Sequence, residues 1–252
     1  MSIVSEKELQ ISDSENEFVK YLDNEIQIKD VEALQSVLNK IEKNISQSDI
    51  KKEYNLVSYS KYILSLDLQL LSHKNKQIKQ NSNNLLEDIL NKISLNGVNL
   101  VMPYLLDCLE NGKWESQQTC LNMINNLSEN KQLSITRNLE SIIPIVSDLM
   151  VSTKKQIADL SMKTMKVISL TSNNKDLEPF IDQIILSVLE PSEVTKCIHG
   201  LASTVFVQKV ETPALTIIEP LVLRGLKEKQ IAIKKKGRDN YRKYVSFIRK
   251  SM

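Results

Sequence analysis

Residues 182–236 read DQIILSVLEPSEVTKCIHGLASTVFVQKVETPALTIIEPLVLRGLKEKQIAIKKK, and this stretch contains one complete structural unit followed by the start of a second. The run 184–189 is apolar and predicts a helix. Pro191 then interrupts the run, because proline has no backbone N–H donor, and the hydroxyl of Ser192 is suited to cap the next helix. A second helix is therefore predicted from about Glu193.

The same pattern begins again at residues 213–226, and earlier parts of the chain repeat it. Aligning the first helix of each unit places four residues in register at intervals of 41, 38 and 38 residues, namely Pro103, Pro144, Asp182 and Pro220. Repeats of this length, with two helices each, are typical of HEAT and armadillo solenoids. The sequence therefore predicts an all-α fold, a HEAT/armadillo-like α-solenoid of about five helix pairs.

Apolar residues at helical spacing extend this pattern over most of the chain. The predicted helices that precede the opening stretch are 15–26, 31–41, 54–71, 85–93, 99–109, 116–127, 139–150 and 154–170. The amide-rich run 80–84 lies where the fourth of them begins or continues. We predict a disordered N-terminus at 1–14, a solenoid at 15–236 and a basic C-terminal helix or cap at 237–252.

Composition supports a helical protein that works in solution. The chain has 252 residues, of which 41% are hydrophobic and 25% charged, so it can bury a sizeable core. Five Gly and six Pro are too few for the many turns of an all-β protein. The sequence has no apolar run of membrane-spanning length, and its N-terminus carries Glu6 and Glu8 where a signal peptide would be basic and apolar. We expect a soluble cytoplasmic protein with no membrane partner.

The three cysteines are Cys108, Cys120 and Cys197, and an odd number cannot all pair within one chain. We interpret them as reduced thiols packed in helices. Cys197 and His199 form a Cys-x-His pair, but a zinc site needs about four ligands and the other histidine is the distant His73. Helix packing is favoured over a metal, and no cofactor is predicted.

Charge is distributed unevenly along the chain. Residues 1–50 carry eleven acidic and five basic residues, a net of −6, whereas residues 227–252 carry ten basic and two acidic ones, a net of +8. A cationic end of this kind attracts nucleic acid or another polyanion. A solvated, frayed terminus is an equally good interpretation of the composition alone. The candidate binding residues are Lys234, Lys235, Lys236, Arg238, Arg242 and Lys243.

Several segments together resemble a known family. Residues 195–236 contain ASTVFVQKV at 202–210, PAL at 213–215, PLV at 220–222, RGL at 224–226 and IAIKKK at 231–236. Upstream segments that fit the same pattern are IIPIVSDLM at 142–150, TKK at 153–155 and KW at 113–114. Residues 60–236 as a whole resemble the N-terminal HEAT region of fungal-type translation elongation factor 3.

This resemblance implies that the chain associates with the ribosome. In the family, the HEAT region docks through ribosomal RNA and ribosomal proteins, so these, with other translation factors, are the expected partners. The chain departs from the family pattern after Lys236, where Asp239 and Asn240 stand at positions that should face a core. Together with this resemblance, the C-terminal cations make ribosomal RNA the leading predicted partner. The alternative function is that of a general protein adaptor that uses the solenoid surface.

No constellation of residues predicts catalysis. Two histidines and no nucleophile motif leave no acid and base pair, so neither an enzyme nor a small-molecule substrate is predicted. Trp114 is interpreted as a packing anchor at a helix junction, and the alternative is a platform on which a base stacks. The run 204–207 is interpreted first as a buried link between helices.

The five glycines predict how the chain behaves with nucleotides. None of them belongs to a Gly-x-x-x-x-Gly-Lys-Ser/Thr loop, which cradles phosphates in the family's ATP-binding domains. We expect the purified chain to show no saturable ATP binding at micromolar concentration and no ATP hydrolysis. Isothermal titration calorimetry and a phosphate-release assay check this, and saturable binding would reveal a site of another type.

Overall fold

A computed structural model describes Leu71 and residues 74–227 of the chain, with side chains to residue 225. These residues belong to one compact unit, Ser48–Met252. They form eight α-helices and the short 3-10 turn Glu178–Phe180, and no β-strand occurs among them. The helices are α1 Lys76–Lys92, α2 Leu95–Asn111, α3 Trp114–Asn130, α4 Gln132–Leu149, α5 Lys155–Leu170, α6 Ile181–Leu189, α7 Pro191–Ser203 and α8 Thr212–Lys227.

The helices form where side chains satisfy the first N–H groups and apolar residues recur on one face. Asn75 accepts a hydrogen bond from the Gln77 N–H at 2.9 Å, so α1 begins directly after it and runs through the amide-rich segment 80–84. Ser94 caps α2 in the same way, through the Gly97 N–H at 3.2 Å. None of the helices between residues 74 and 227 is long and apolar enough to cross a bilayer.

The helices stack as successive pairs. α2 pairs with α3, α4 with α5, and α6 with α7. Between neighbouring pairs, α2 packs on α4 and α3 packs on α5, so first helices form one layer and second helices form the other. One apolar cluster runs through the stack from Leu71 to Val222. The prediction of an all-α stack of helix pairs is confirmed over the described part of the chain.

The last described helix leaves the regular pattern. α6 has nine residues, fewer than the other seven, and α8 packs against α4 as well as against α6 and α7. Where α8 meets α7, a Cβ atom added to Gly225 would collide with the Cδ1 atom of Ile198. A glycine at this position therefore lets the two helices approach closely.

The prolines that defined the repeat lie inside the first helices of the pairs. Pro103, Pro144 and Pro220 fall within α2, α4 and α8, whereas Asp182 is the second residue of the short helix α6. Each proline leaves the carbonyl four residues earlier without its usual N–H donor. Pro103 and Pro144 are exposed, so water can satisfy those carbonyls on the solvent side of the helix.

Two helix starts differ from the sequence prediction. α7 begins at Pro191 and not near Glu193, and Ser192 lies in its first turn and does not cap it. The reason is that proline at the first helical position loses no hydrogen bond and has the right backbone φ angle. α4 begins at Gln132, well before the predicted start at 139. The predicted helices before residue 71, the domain boundaries and the basic cap lie outside the described residues and remain predictions.

A lysine joins two successive repeats by capping a helix end. The ammonium of Lys131, the residue that ends α3 and precedes α4, donates to the carbonyls of Leu90 and Ile93 at 2.5 Å and of Asn91 at 3.1 Å. Those carbonyls lie at the C-terminal end of α1, where the last carbonyls of a helix have no N–H donor within the helix itself. A cation there also interacts favourably with the helix dipole.

Other hydrogen bonds between repeats have the same sequence separation. They link a side chain near the start or end of one first helix to a carbonyl of the previous first helix, 37 or 39 residues away along the chain. The bonds are Ser134 Oγ to Leu95 O (2.7 Å) and Arg224 Nη1 to Ser187 O (3.3 Å). The repeat period is therefore also the period of the polar contacts.

Replacing Lys131 with methionine tests this capping. Methionine keeps an apolar stem but cannot donate, so three carbonyls lose their partner. We expect the free energy of unfolding in urea to fall by about 1–3 kcal/mol. The matched control is Lys76→Met at an exposed position of α1. An equal loss in both variants would contradict the proposed role of the cap.

Candidate nucleic-acid interface

The cationic residues predicted from the C-terminal sequence all lie beyond the described part of the chain. They are Lys234, Lys235, Lys236, Arg238, Arg242 and Lys243. Their role in binding therefore remains a prediction. The described helices carry other exposed cations, and the structure shows how these are arranged.

Two turns from successive helix pairs meet at one edge of the stack. Trp114 is the first residue of α3, and Lys154 immediately precedes α5. The Lys154 Nζ atom lies 5.5 Å from the centroid of the Trp114 ring, the geometry of a cation–π contact. Lys113 and Lys155, the chain neighbours of these two residues, are exposed. The structure thus brings together two segments that lie 40 residues apart in the sequence.

Trp114 is more exposed than its residue type suggested. Its side chain is 37% exposed, although tryptophan is highly buried on average. The physical reason is its position at the start of a helix, on a turn at the edge of the stack. The Lys154 ammonium lies over the ring.

The two layers of helices present opposite charges to solvent. The exposed charged residues of α2 and α4 are four carboxylates and one cation, a net charge of −3; they are Asp107, Glu110, Glu140, Asp148 and Arg137. The exposed charged residues of α3, α5 and the turns before them are five cations and two carboxylates, a net charge of +3. The cations are Lys113, Lys154, Lys155, Lys163 and Lys166. We call this second set, with Trp114, the α3–α5 surface.

The α3–α5 surface also contains carboxylates. The two exposed ones are Asp159 in α5 and Glu129 near the far end of α3, and Glu115, beside Trp114, is half-buried. Lys166 forms an ion pair with Asp182, with 2.7 Å between its Nζ atom and the carboxylate Oδ1 atom. Asn122 and Asn126 add exposed amides along α3. Lysines, amides and an aromatic ring can contact phosphates and bases, which is the chemistry of nucleic-acid binding.

The link between α7 and α8 is only partly buried, unlike the prediction for 204–207. Val205 and Val207 are 82% and 87% exposed, whereas Phe206 between them is buried. Successive residues of an extended chain point in opposite directions, so one anchors the link and its neighbours face solvent. Asp176 fixes the link by accepting from the N–H groups of Val207 at 2.8 Å and Gln208 at 2.6 Å.

All three cysteines are free and buried, as predicted. A hydrogen bond between the thiols of Cys108 and Cys120 raises the pKa of Cys120, which burial raises further, and lowers the pKa of Cys108. Cys197 is buried while His199 is exposed, so the two side chains occupy different environments. Among residues 71 and 74–225, no group of three or more His, Cys, Asp or Glu side chains is placed to hold a metal.

Comparison with protein families gives the relationship directly. The family model "EF3 N-terminal HEAT repeat" matches residues 2–165, which is more than half of the chain. The chain belongs to the elongation factor 3 HEAT-repeat family. A second model of this family, "Elongation factor 3/GNC1 HEAT repeat", matches residues 193–239. The resemblance noted in the sequence is therefore confirmed, and so is the HEAT type of the solenoid.

Individual elongation factor 3 relatives are much longer than this chain. The chain is 35% identical to elongation factor 3 of Phytophthora infestans over 69% of its own length and 17% of the relative. Against the Candida albicans factor it is 30% identical over 88% of the chain and 21% of the relative. Against elongation factor 3A of Saccharomyces cerevisiae it is 30% identical over 66% of the chain and 16% of the relative. The chain thus spans about a fifth of these relatives.

Among solved structures, one similar chain is a designed armadillo repeat protein in complex with the peptide (KR)4. It is 12% identical, with a TM-score of 0.42 and coverage of 90% of this chain and 98% of that one.

The thiol of Cys197 makes stability depend on pH in this elongation factor 3 relative. Burial raises its pKa from 9.0 to about 11. Between these values the unfolded thiol ionises while the folded one stays protonated, so unfolding releases a proton and the free energy of unfolding falls as pH rises. The loss amounts to roughly 1.4 kcal/mol for each unit of pKa difference.

Cys197→Ala should therefore flatten the pH dependence above pH 9 relative to the native chain. Urea unfolding at several pH values between 8 and 11 measures both slopes. The difference between the two proteins is the informative quantity, because lysines and the other cysteines titrate in both. Parallel slopes would show that the Cys197 proton is not linked to folding.

Proposed function

We propose that this chain is a ribosome-associated HEAT-repeat protein of translation elongation that acts in the cytoplasm and does not itself hydrolyse ATP. The observation that supports this proposal is its membership of the elongation factor 3 HEAT-repeat family. Its partners would be ribosomal RNA and ribosomal proteins, with other translation factors nearby. Neither a membrane nor a small-molecule substrate has a place in this function.

Binding in this proposal begins with electrostatic attraction. Residues 227–252 carry a net charge of +8, and ribosomal RNA is a dense polyanion. Lysine and arginine side chains that neutralise phosphates release condensed counterions, and this release contributes affinity that falls with salt. The hydrogen bonds between repeats, such as those of Lys131, would keep the helices of the solenoid in fixed positions during docking.

We propose that these 252 residues contribute to this function by binding. The alignments cover 16% to 21% of the length of the compared relatives. The 252 residues contain no phosphate-binding Gly-x-x-x-x-Gly-Lys-Ser/Thr loop. We therefore propose that these 252 residues act in elongation by occupying a ribosomal site.

The second candidate is a protein adaptor that does not act on the ribosome. One observation favours it, because Val205 and Val207 project into solvent from a link that Asp176 holds in place. Fixed, exposed apolar side chains are suited to contact another protein. The affinity of such an adaptor for its partner would depend little on salt concentration, since salt does not screen apolar contacts.

Co-sedimentation with purified ribosomes across a salt series separates the two candidates. Ribosome association through phosphates predicts binding at low salt and a steep loss of affinity as salt rises. An adaptor predicts no specific co-sedimentation at any salt. Absence of binding at low salt would sink the proposed function.

The triple variant Arg238→Gln, Arg242→Gln and Lys243→Gln tests the cationic end. It removes three charges and keeps residues of good helix propensity, so the fold should be retained. We expect the slope of log affinity against log salt to become shallower by roughly two to three units. The matched control removes three exposed lysines elsewhere, Lys76, Lys175 and Lys209, by the same change. An unchanged slope in the C-terminal variant would move the binding site to another surface.

A further inference from the structure

We propose that the α3–α5 surface is a second, separate contact for RNA, with Lys113, Lys154 and Lys155 on the phosphates and Trp114 against a base. This inference extends the proposed function, since the RNA would be that of the ribosome. Binding of free RNA at this surface can be measured on its own, so the two proposals can fail independently.

Charge is the first argument for this surface. Its exposed side chains have a net charge of +3, whereas the first helices of the same two repeats have a net of −3. A polyanion is therefore attracted by one helix layer and repelled by the other, which fixes the side of the solenoid that it meets. The net charge of the whole chain, +2, conceals this separation.

The Trp114 ring is the second argument, because it distinguishes RNA from other polyanions. An acidic protein surface needs only lysines, whereas a nucleotide also presents a flat base. The ring is 37% exposed, and the Lys154 ammonium lies 5.5 Å from its centroid. A phosphate that binds Lys154 would draw the ammonium from the ring face that it covers and place the attached nucleotide beside the indole. Stacking of bases on aromatic rings recurs in proteins that bind single-stranded nucleic acid.

Neighbouring residues complete the surface. Lys155 and Lys163 lie on α5, and Asn122 and Asn126 lie on α3, which packs directly against α5. Cations and amides along two adjacent helices offer a track for a phosphate backbone beyond the first nucleotide. Both helices are held by the core, so little ordering is needed when RNA binds.

The chain offers a direct measurement, because Trp114 is its one tryptophan. Titration with a mixed-sequence single-stranded oligoribonucleotide of about twelve nucleotides should change the tryptophan fluorescence in a saturable manner. Trp114→Ala should weaken binding of the labelled oligonucleotide, followed by anisotropy, roughly five- to hundredfold, and Trp114→Phe should retain most of the affinity.

Lysine variants test the phosphate contacts. Lys113→Gln, Lys154→Gln and Lys155→Gln together should make the salt slope shallower by about two units, as expected for three phosphates of a single strand. The control with Lys76, Lys175 and Lys209 changed to Gln removes the same charge and should leave the slope nearly unchanged. The C-terminal triple variant should keep the full fluorescence change at saturation, because it leaves this surface intact.

Two outcomes would overturn the inference. One is RNA binding without a change in fluorescence and with equal affinity for Trp114→Ala, which would place the RNA elsewhere. The other is that polyglutamate of matched charge changes the tryptophan fluorescence as much as the oligoribonucleotide does, which would indicate that the partner is an acidic protein. If the chain does not co-sediment with ribosomes but still binds the oligoribonucleotide through this surface, the proposed function is refuted and RNA binding by the α3–α5 surface is retained.

Discussion

A helix pair of this chain cannot bury its apolar faces alone, and the whole architecture depends on that constraint. α2 contacts its own partner α3 and also the next first helix, α4, so each helix completes its burial only through its neighbours. Fully burying one leucine or isoleucine contributes about 1.5–3 kcal/mol. Helix ends are satisfied in the same way, because the Lys131 ammonium of one repeat caps carbonyls of the previous one.

This arrangement leaves the outer sides of the two layers free to differ. The residues that face the core must be apolar in every repeat, whereas the exposed positions of a helix do not affect the stacking. The chain uses this freedom by placing carboxylates on the first helices and lysines on α3 and α5. Function in such a protein therefore belongs to its surfaces, and the ribosomal partner that we propose for them rests on family membership.

Local sequence rules predicted much of the fold and less of the surface. The 3.6-residue spacing identified the helices, and the prolines identified the repeat, because both act within one turn of helix. The start of α7 was misplaced, since Ser192 is a good cap but Pro191 is a better first residue. The exposure of Trp114 was not foreseen, because its residue type predicts average burial and takes no account of its position at the start of α3.

The sequence by itself determined the helix class, the repeat period and the family, because these depend on spacing and residue identity along the chain. Only the tertiary structure decided which residues share a surface. Lys154 reaches Trp114 because successive pairs stack, and the exposure of Val205 and Val207 follows from the anchoring of Phe206 between them. Contacts between repeats depend on how the helices pack, and packing is a property of the folded core that no single segment contains.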